Sequence, residues 1–314
     1  RIVELQDLDD LNIDNIRAED FQPLLNVHEK WTKYFTSKNE TNLIASIKND
    51  KRFQKLADCA LINVGVTTGN NKYFSVNKAT AQKYDLESIS LPLIGRSSHA
   101  NSVYFEKADW EENVNKDKAA YLVNFPEVPF DSYSQEQKAY IKFGEETKQN
   151  RGYKCSIREN WYQIPSIWIP DAFFLRRNNL YPKFVLNCCG AISTDTMHRI
   201  KFNNGIAHEK VILSYYNSIS FAFTEICGRS YGGGVLEILP GEVGNIVIPK
   251  LNSVPIKKVR AILKKVDEIV RADDDIDKAL DLVDKEILVS EIGIEESLCR
   301  SARNIWKKLH LIIY

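Results

Sequence analysis

The sequence predicts a mixed α+β unit followed by a purely α-helical C-terminal segment, with no Rossmann catalytic domain. Three observations predict this. Between Leu56 and Pro249, β-branched apolar runs and helix-capping signals alternate with clusters of Gly, Pro and Asn. After Pro255 the apolar residues recur only at three- and four-residue steps. No G-x-G-x-x-G or G-x-x-x-x-G-K-[ST] phosphate cradle follows a strand-like run. The boundaries are then a connecting helical segment at 1–55, the mixed unit at 56–250 and the helical segment at 251–314.

Each element has a local reason. Residues 1–55 carry scattered apolar positions (Phe21, Leu24, Leu25, Trp31, Tyr34, Phe35), and Pro23 is placed to start a helix after Asp20. Leu61 to Val66 is apolar and β-branched, Thr67-Thr68-Gly69-Asn70-Asn71 is turn chemistry, and Lys72 to Val76 resumes a strand pattern, which together predict a hairpin. Ser134-Gln135-Glu136-Gln137 fits a capping box opening a helix through Tyr140, Ile141 and Phe143. Tyr162 to Leu175, interrupted by Pro165 and Pro170, predicts short bent strands. A helix is expected from Glu209 to Ile226, closed by Gly228 as a left-handed cap, and a strand at Val235 to Leu239. Beyond Pro255 come three apolar stripes. The first is Ile256, Val259, Ile262, Leu263, Val266, Ile269 and Val270; the second Ile276, Leu280, Val283 and Ile287; the third Leu298, Ala302, Ile305, Trp306 and Leu309. Their natural partners are each other and the preceding unit.

Composition bounds the function. With 314 residues, 44% of them hydrophobic and 27% charged, the chain buries a sizeable core and is neither disordered nor fibrous. No apolar run approaches the roughly 18 residues that span a bilayer, and no signal peptide opens the chain, so a cytoplasmic protein without membrane contact is expected. The six cysteines form no C-x-x-C pair and read as reduced thiols, and the five histidines never fall at metal-ligand spacing, so no metal site is expected. The chain begins Arg1-Ile2-Val3 and holds a single methionine, Met197, which reads as a piece of a longer protein.

Forty-two basic and 42 acidic residues cancel overall, which argues against a protein that coats nucleic acid. The distribution is uneven. Lys142 to Lys201 holds ten basic residues against five acidic, whereas Leu251 to Arg300 holds nine against twelve. A positive middle masked by an acidic tail suits a local anion-binding face.

The catalytic inventory is thin, with no G-x-S-x-G, no H-E-x-x-H and no Pro-Pro dipeptide. Asp131 followed by Glu136 and Lys138 echoes a D…E-x-K metal site, although this E-x-K falls inside the expected helix. Richer in signal are Phe173 to Lys183, Ser193 to Arg199 and Gly228 to Gly234, where arginines, short hydroxyls and aromatics interleave with glycines. Such groups neutralise phosphates, donate to their oxygens and read base edges.

Five segments occur in a telling order. They are Val64-Gly65-Val66-Thr67-Thr68-Gly69-Asn70-Asn71-Lys72-Tyr73-Phe74, Leu93-Ile94-Gly95-Arg96-Ser97, Trp168-Ile169-Pro170-Asp171-Ala172-Phe173, Ser193-Thr194-Asp195-Thr196-Met197-His198-Arg199, and Gly228-Arg229-Ser230-Tyr231-Gly232-Gly233-Gly234-Val235-Leu236-Glu237. As a set, across roughly Trp31 to Lys308, they resemble the C-terminal target-recognition region of gamma-class adenine-specific (N6) DNA methyltransferases of bacterial restriction–modification systems. The resemblance implies a target-recognition domain that grips double-stranded DNA opposite an N-terminal catalytic domain. That domain would bind S-adenosylmethionine and hold the flipped adenine in a D/N-P-P-Y/F/W loop. This chain has neither that loop nor an F-x-G-x-G cofactor motif, so it is expected to bind no cofactor and to be inactive alone.

By matching motif and residue chemistry, the DNA-facing set is Arg96, Arg176, Arg177, Thr194, Thr196, His198, Arg199, Arg229, Ser230 and Tyr231, with Gly232, Gly233 and Gly234 allowing close backbone approach. Asn187 and Lys72 rank below them. Asp195 and Arg229 have a second reading, as a buried ion pair that fixes a loop. Two other functions stay open: a fragment of a restriction endonuclease or combined restriction–modification enzyme using Asp131, Glu136 and Lys138, and a protein-interaction module docking through its acidic C-terminal helices.

Overall fold

The computed structural model describes residues 35–178, 180–230, 235–273 and 275–313. Helix α1 (Lys38–Asn49) opens with a capping box between Ser37 and Glu40, and strands β1 (Phe53–Lys55) and β2 (Ala60–Asn63) follow. The chain then builds α2 (Asn71–Phe74), β3 (Ser75–Val76), α3 (Lys78–Lys83), β4 (Ser90–Ile94), β5 (Tyr104–Phe105), α4 (Lys107–Asn115), β6 (Tyr121–Val123), α5 (Gln135–Glu146) and α6 (Tyr153–Ser156). It returns through β7 (Ala172–Leu175), β8 (Arg177–Asn178), β9 (Phe184–Asn187), β10 (Ile192–Ser193) and β11 (Met197–Phe202). Helices α7 (His208–Tyr215) and α8 (Ser218–Cys227), strands β12 (Arg229–Ser230) and β13 (Leu236–Glu237), α9 (Pro240–Gly244) and β14 (Val247–Pro249) complete the mixed unit. Helices α10 (Ile256–Arg271), α11 (Ile276–Val283) and α12 (Glu296–Ile313) close it, with a π-helical turn Asp284–Val289 continuing α11.

Five strands in the order β2-β11-β7-β9-β5 form the central sheet. Its side chains explain the unbroken apolar run at Ala172 to Leu175. Ala172, Phe174, Phe184, Leu186, Ile200 and Phe202 enter one large core with α7, α8 and the C-terminal helices. Their neighbours Phe173, Leu175, Val185 and Met197 enter a smaller core on the opposite face, with Ile94 and Phe105. A strand covered on both faces reads as a continuous hydrophobic run instead of an alternating one. A third core, around Tyr73, Phe74, Leu122, Tyr140 and Tyr162, is built from residues 66–167 together with Ile192 of β10 and carries the four-stranded sheet β10-β4-β6-β3. Smaller sheets pair β1 with β14 and place β13 between β12 and β8.

The capping box at Ser134 and Gln137 forms as expected, with the Gln137 amide bonded to Ser134 Oγ at 3.2 Å. The three C-terminal stripes form helices: α10 packs on α7, α12 on α8, and α11 on α10. Asp267 of α10 reaches across to accept the backbone amides of Val103 at 2.6 Å and Tyr104 at 3.1 Å, which ties this helix to the edge of the central sheet. Among the described residues, no helix is long and apolar enough to cross a membrane.

Four local expectations are corrected. Leu61 to Val76 is not a hairpin: β2 pairs with β11, the expected second strand begins as helix α2 capped by Asn70, and β3 pairs with β6. The helix expected at Glu209 to Ile226 is two helices. Asn217 accepts the Ser220 amide at 2.9 Å and donates to Ser214 O at 2.6 Å, ending one helix and capping the next. Gly228 is extended, with φ −75° and ψ −178°, and its small size serves packing, because a Cβ there would lie 2.5 Å from Leu236 Cδ1. Of the strands expected at Tyr162 to Leu175 and Val235 to Leu239, only Ala172–Leu175 and Leu236–Glu237 form.

Candidate nucleic-acid interface

Three of the expected arginines gather on the small sheet. Its register places Arg229 opposite Glu237 and Glu237 opposite Arg177, so one cross-strand row reads Arg–Glu–Arg on a single face. Glu237 lies beneath, its side chain 8% exposed against 68% for Arg177. Its Oε1 accepts Arg176 Nε at 2.8 Å and Arg177 Nε at 3.3 Å. Arg229 Nε donates to Glu242 Oε1 at 2.6 Å. The carboxylates hold the guanidiniums at fixed places while Arg177 keeps most of its surface in solvent. The cluster is charge-matched, with Arg176 also 4.0 Å from Asp195. It therefore supplies directed donors more than net positive charge. Ser230 lies on β12 by its backbone, and Tyr231, Gly232, Gly233 and Gly234 lie outside the described residues.

Beside this row, two of the ordered segments meet in space. Val66 forms a parallel bridge with Thr194, and its amide bonds Ser193 O at 2.7 Å. Thr194 is 1% exposed, its Oγ1 3.3 Å from that of half-buried Thr196. Asp195 projects from the turn and accepts Asn71 Nδ2 at 3.1 Å, and Thr68 Oγ1 donates to Asn71 Oδ1 at 2.5 Å. The suggested Asp195–Arg229 pair does not form: each ion-pairs with another residue, Asp195 with Arg176 and Arg229 with Glu242. Lys72 and Arg96 are exposed, and no described group pairs with the Arg96 side chain.

Besides Thr194, three more of the expected contacts face inward. Arg199 is 7% exposed; its Nε donates to Val64 O at 3.0 Å and its Nη1 to Ser166 O at 3.3 Å, with the guanidinium 4.4 Å over the Trp168 ring. It thus clamps the segments entering and leaving the lobe at residues 66–167. Asn187 closes a loop by donating to Pro170 O at 2.7 Å and Ala191 O at 2.9 Å. His198 is fully buried, its Nε2 2.7 Å from Ile238 O, so that nitrogen carries the proton. Sequence reasoning missed Glu237, Glu242, Asn71 and Trp168 as the groups that set these side chains. Asn71, Trp168 and Glu237 stand inside the ordered segments and Glu242 five residues beyond the last, but nothing in the sequence pairs them with these side chains.

Two histidines make stability pH-dependent. Burial pulls the His99 pKa down to about 4, helped by Lys118 and Arg96, and its Nδ1 accepts the Gly95 amide at 3.3 Å. Burial also lowers that of His198. Both take up a proton more readily when unfolded, near pH 6.5. Their contribution is therefore complete above about pH 6.5 and is lost as the pH falls below it, for His99 down to about 4. The melting temperature is expected to drop between pH 7 and pH 5, and His99→Asn to flatten that drop; an identical pH slope in the variant would refute the assignment.

The metal-site reading finds little geometry. Asp131 is fully exposed, Lys138 Nζ donates to its backbone oxygen at 3.1 Å, and Glu136 sits in the first turn of α5. Among the described residues no three His, Cys, Asp or Glu converge as a metal site.

The family described as "Type II methyltransferase M.Eco57I, C-terminal domain" matches residues 28–288. The type II methyltransferase M.AccI of Acinetobacter calcoaceticus is 26% identical over 229 residues, covering 70% of this chain and 39% of that protein. The crystal structure of the type IIG restriction endonuclease BpuSI shares the fold with a TM-score of 0.59 at 11% identity, covering 90% of this chain and 34% of that enzyme. The chain spans well under half the length of both.

Proposed function

Because this chain belongs to the family of the C-terminal domain of type II methyltransferase M.Eco57I, we propose that it recognises the DNA target of an adenine-specific methyltransferase of a bacterial, cytoplasmic restriction–modification system. The observation that carries this reading is the Arg177–Glu237–Arg229 row, backed by Arg176 and bordered by the Asp195–Thr196 turn. A guanidinium held through Nε by a nearly buried carboxylate keeps terminal N–H groups in a fixed plane, suited to bidentate contacts with phosphates or base edges. Arg96, Arg176, Arg177, Thr196, Arg229 and the sequence Ser230–Gly234 make up the proposed face; Thr194, His198 and Arg199 hold it from behind. Residues 56–250 are the recognition unit in this reading, and residues 251–314 brace its central sheet.

S-adenosylmethionine and base flipping are assigned to a catalytic domain beyond these residues, since the sequence has neither an F-x-G-x-G motif nor a Pro-Pro dipeptide to hold cofactor or adenine. No chemical step is placed on this chain. Fluorescence anisotropy on a mixed-sequence duplex tests the reading. Between roughly 50 and 200 mM salt the affinity is expected to fall by about a thousandfold, the loss for about six phosphate contacts. Absence of binding at the lower salt, or an affinity indifferent to salt, would overturn it.

A further inference from the structure

The ten cations between Lys142 and Lys201 meet different fates. Lys142, Arg176, Arg177 and Lys201 are paired with carboxylates, Lys183 with Asn101, and Arg199 is buried. Lys148, Arg151 and Lys154 are exposed and form no ion pair with a described residue. They lie in Thr147 to Arg158, twelve residues with four cations and no carboxylate. The nearest acids upstream are engaged, Glu145 by the Trp161 indole at 3.2 Å and Glu146 by Lys142 at 3.9 Å. Here the positive middle of the sequence reaches solvent, with Glu159 the nearest free carboxylate among the described residues against four cations.

The same segment exposes apolar surface. Tyr153 is 72% and Ile157 60% exposed, one helical turn apart and so on one side of α6. The segment is anchored all the same. Cys155 is fully buried beneath it, Arg158 Nη2 donates to Thr67 O at 3.2 Å, and Gln149 Oε1 accepts Asn70 Nδ2 at 2.7 Å. Asn70 adjoins Asn71, which bonds Asp195, which neighbours Arg176. A short chain of polar contacts therefore joins this segment to the arginine row.

We infer that residues 148–157 form a second DNA-contacting element, in which Lys148, Arg151 and Lys154 bind backbone phosphates and Tyr153 with Ile157 lies against the bases between them. The inference rests on the DNA-recognition reading above and adds a surface to it. Three free cations around an anchored aromatic and aliphatic pair match a duplex, where charge lines the edges and apolar base surface lies within. The arginine row, being charge-matched, contributes geometry, and this element contributes about half of the phosphate contacts.

The test uses the whole 314-residue chain with a duplex in a salt series. The triple variant Lys148→Gln, Arg151→Gln, Lys154→Gln is expected to lower the log–log salt slope by about 3, making the change between roughly 50 and 200 mM about 40-fold smaller. Tyr153→Ala with Ile157→Ala is expected to weaken binding by about tenfold or more at an unchanged slope. Thermal melts of both variants should match the parent, because the altered side chains are exposed. If the parent binds with a steep slope and the triple variant keeps it, the element is not a DNA contact although the DNA reading stands. If the parent binds no duplex at all, the DNA reading fails and this inference with it.

Discussion

Gly65→Ala is expected to destabilise the chain by at least about 4 kcal/mol, in the range reserved for severe steric or burial defects. An added Cβ would lie 1.8 Å from Thr194 O, 2.4 Å from Thr194 C and 2.6 Å from Met197 O. All three are backbone atoms, so no rotamer change makes room. Relief requires moving the turn at Thr194, breaking the Val66–Thr194 bridge and the 2.7 Å bond from the Val66 amide to Ser193 O. Those contacts align the two segments that flank Asp195 and, through Arg199, the entry to the lobe at residues 66–167. Losing about 4 kcal/mol removes a large part of the 5–15 kcal/mol that usually stabilises a folded chain. In a thermal melt it should appear as a drop of about 10 °C. Gly241→Ala is the control, since nothing lies within 4 Å of a Cβ there and the site is helical. Similar melting of the two variants would refute the argument. The constraint at Gly65 is space and not handedness, as its φ is not among the positive ones.

That constraint shows what the sequence holds and what it leaves out. Local physics was legible: Ser134 with Gln137 announces α5, and the stripe Val259, Ile262, Leu263, Val266 and Val270 announces the buried face of α10. Both signals need only residues within a few turns of each other. The family resemblance was legible too, because the ordered segments turned out to be neighbours, with Val66 on Thr194 and Asn71 on Asp195. What one segment does to another was not. The turn Thr67 to Asn71 has ordinary hairpin composition, yet the strands on either side pair with β11 and β6, distant in sequence. The apolar run Val211 to Phe223 gives no hint that the side chain of Asn217 ends one helix and begins another.

Charge was the least legible property of the candidate face. A sequence count treats Arg176, Arg177, Arg199 and Arg229 alike, whereas the fold buries Arg199 over Trp168 and hands the others to Glu237 and Glu242. Glu237 was visible in the last of the ordered segments, but nothing local shows that strand register puts it between two arginines. Lys148, Arg151 and Lys154, which form no ion pair with a described residue, belong to no motif. Their distinguishing feature is the absence of carboxylate from Thr147 to Arg158, a pattern that gains meaning only once the fold sets that segment beside Asn70.

Arg303→Met is expected to cost about 3–5 kcal/mol, the usual penalty for leaving a buried charge without its partner. Arg303 stands within the apolar stripe of α12, where composition reads it as a solvated interruption. Instead its side chain is 12% exposed and binds Asp277 at 2.9 Å, Asp281 at 3.1 Å, Asp284 at 3.3 Å and Ser218 Oγ at 2.7 Å. It joins α12, α11 and the start of α8, where Asp284 also accepts the Ser218 amide at 3.0 Å. Burial holds the Asp284 carboxyl above its ordinary range, against the lowering influence of the Ser218 bonds and of Arg303. A carboxyl raised on folding is protonated more readily in the native state, so its contribution to stability declines as pH rises from about 3.9 through the native value. Without Arg303 that value climbs further. The deficit of Arg303→Met should therefore be largest near pH 7 and shrink toward pH 4.5, and Asp284→Asn in the same chain should recover part of it. Urea midpoints at the two pH values decide the matter. A deficit that stays constant with pH, or a double variant no more stable than Arg303→Met, would show that Arg303 holds the helices by packing alone.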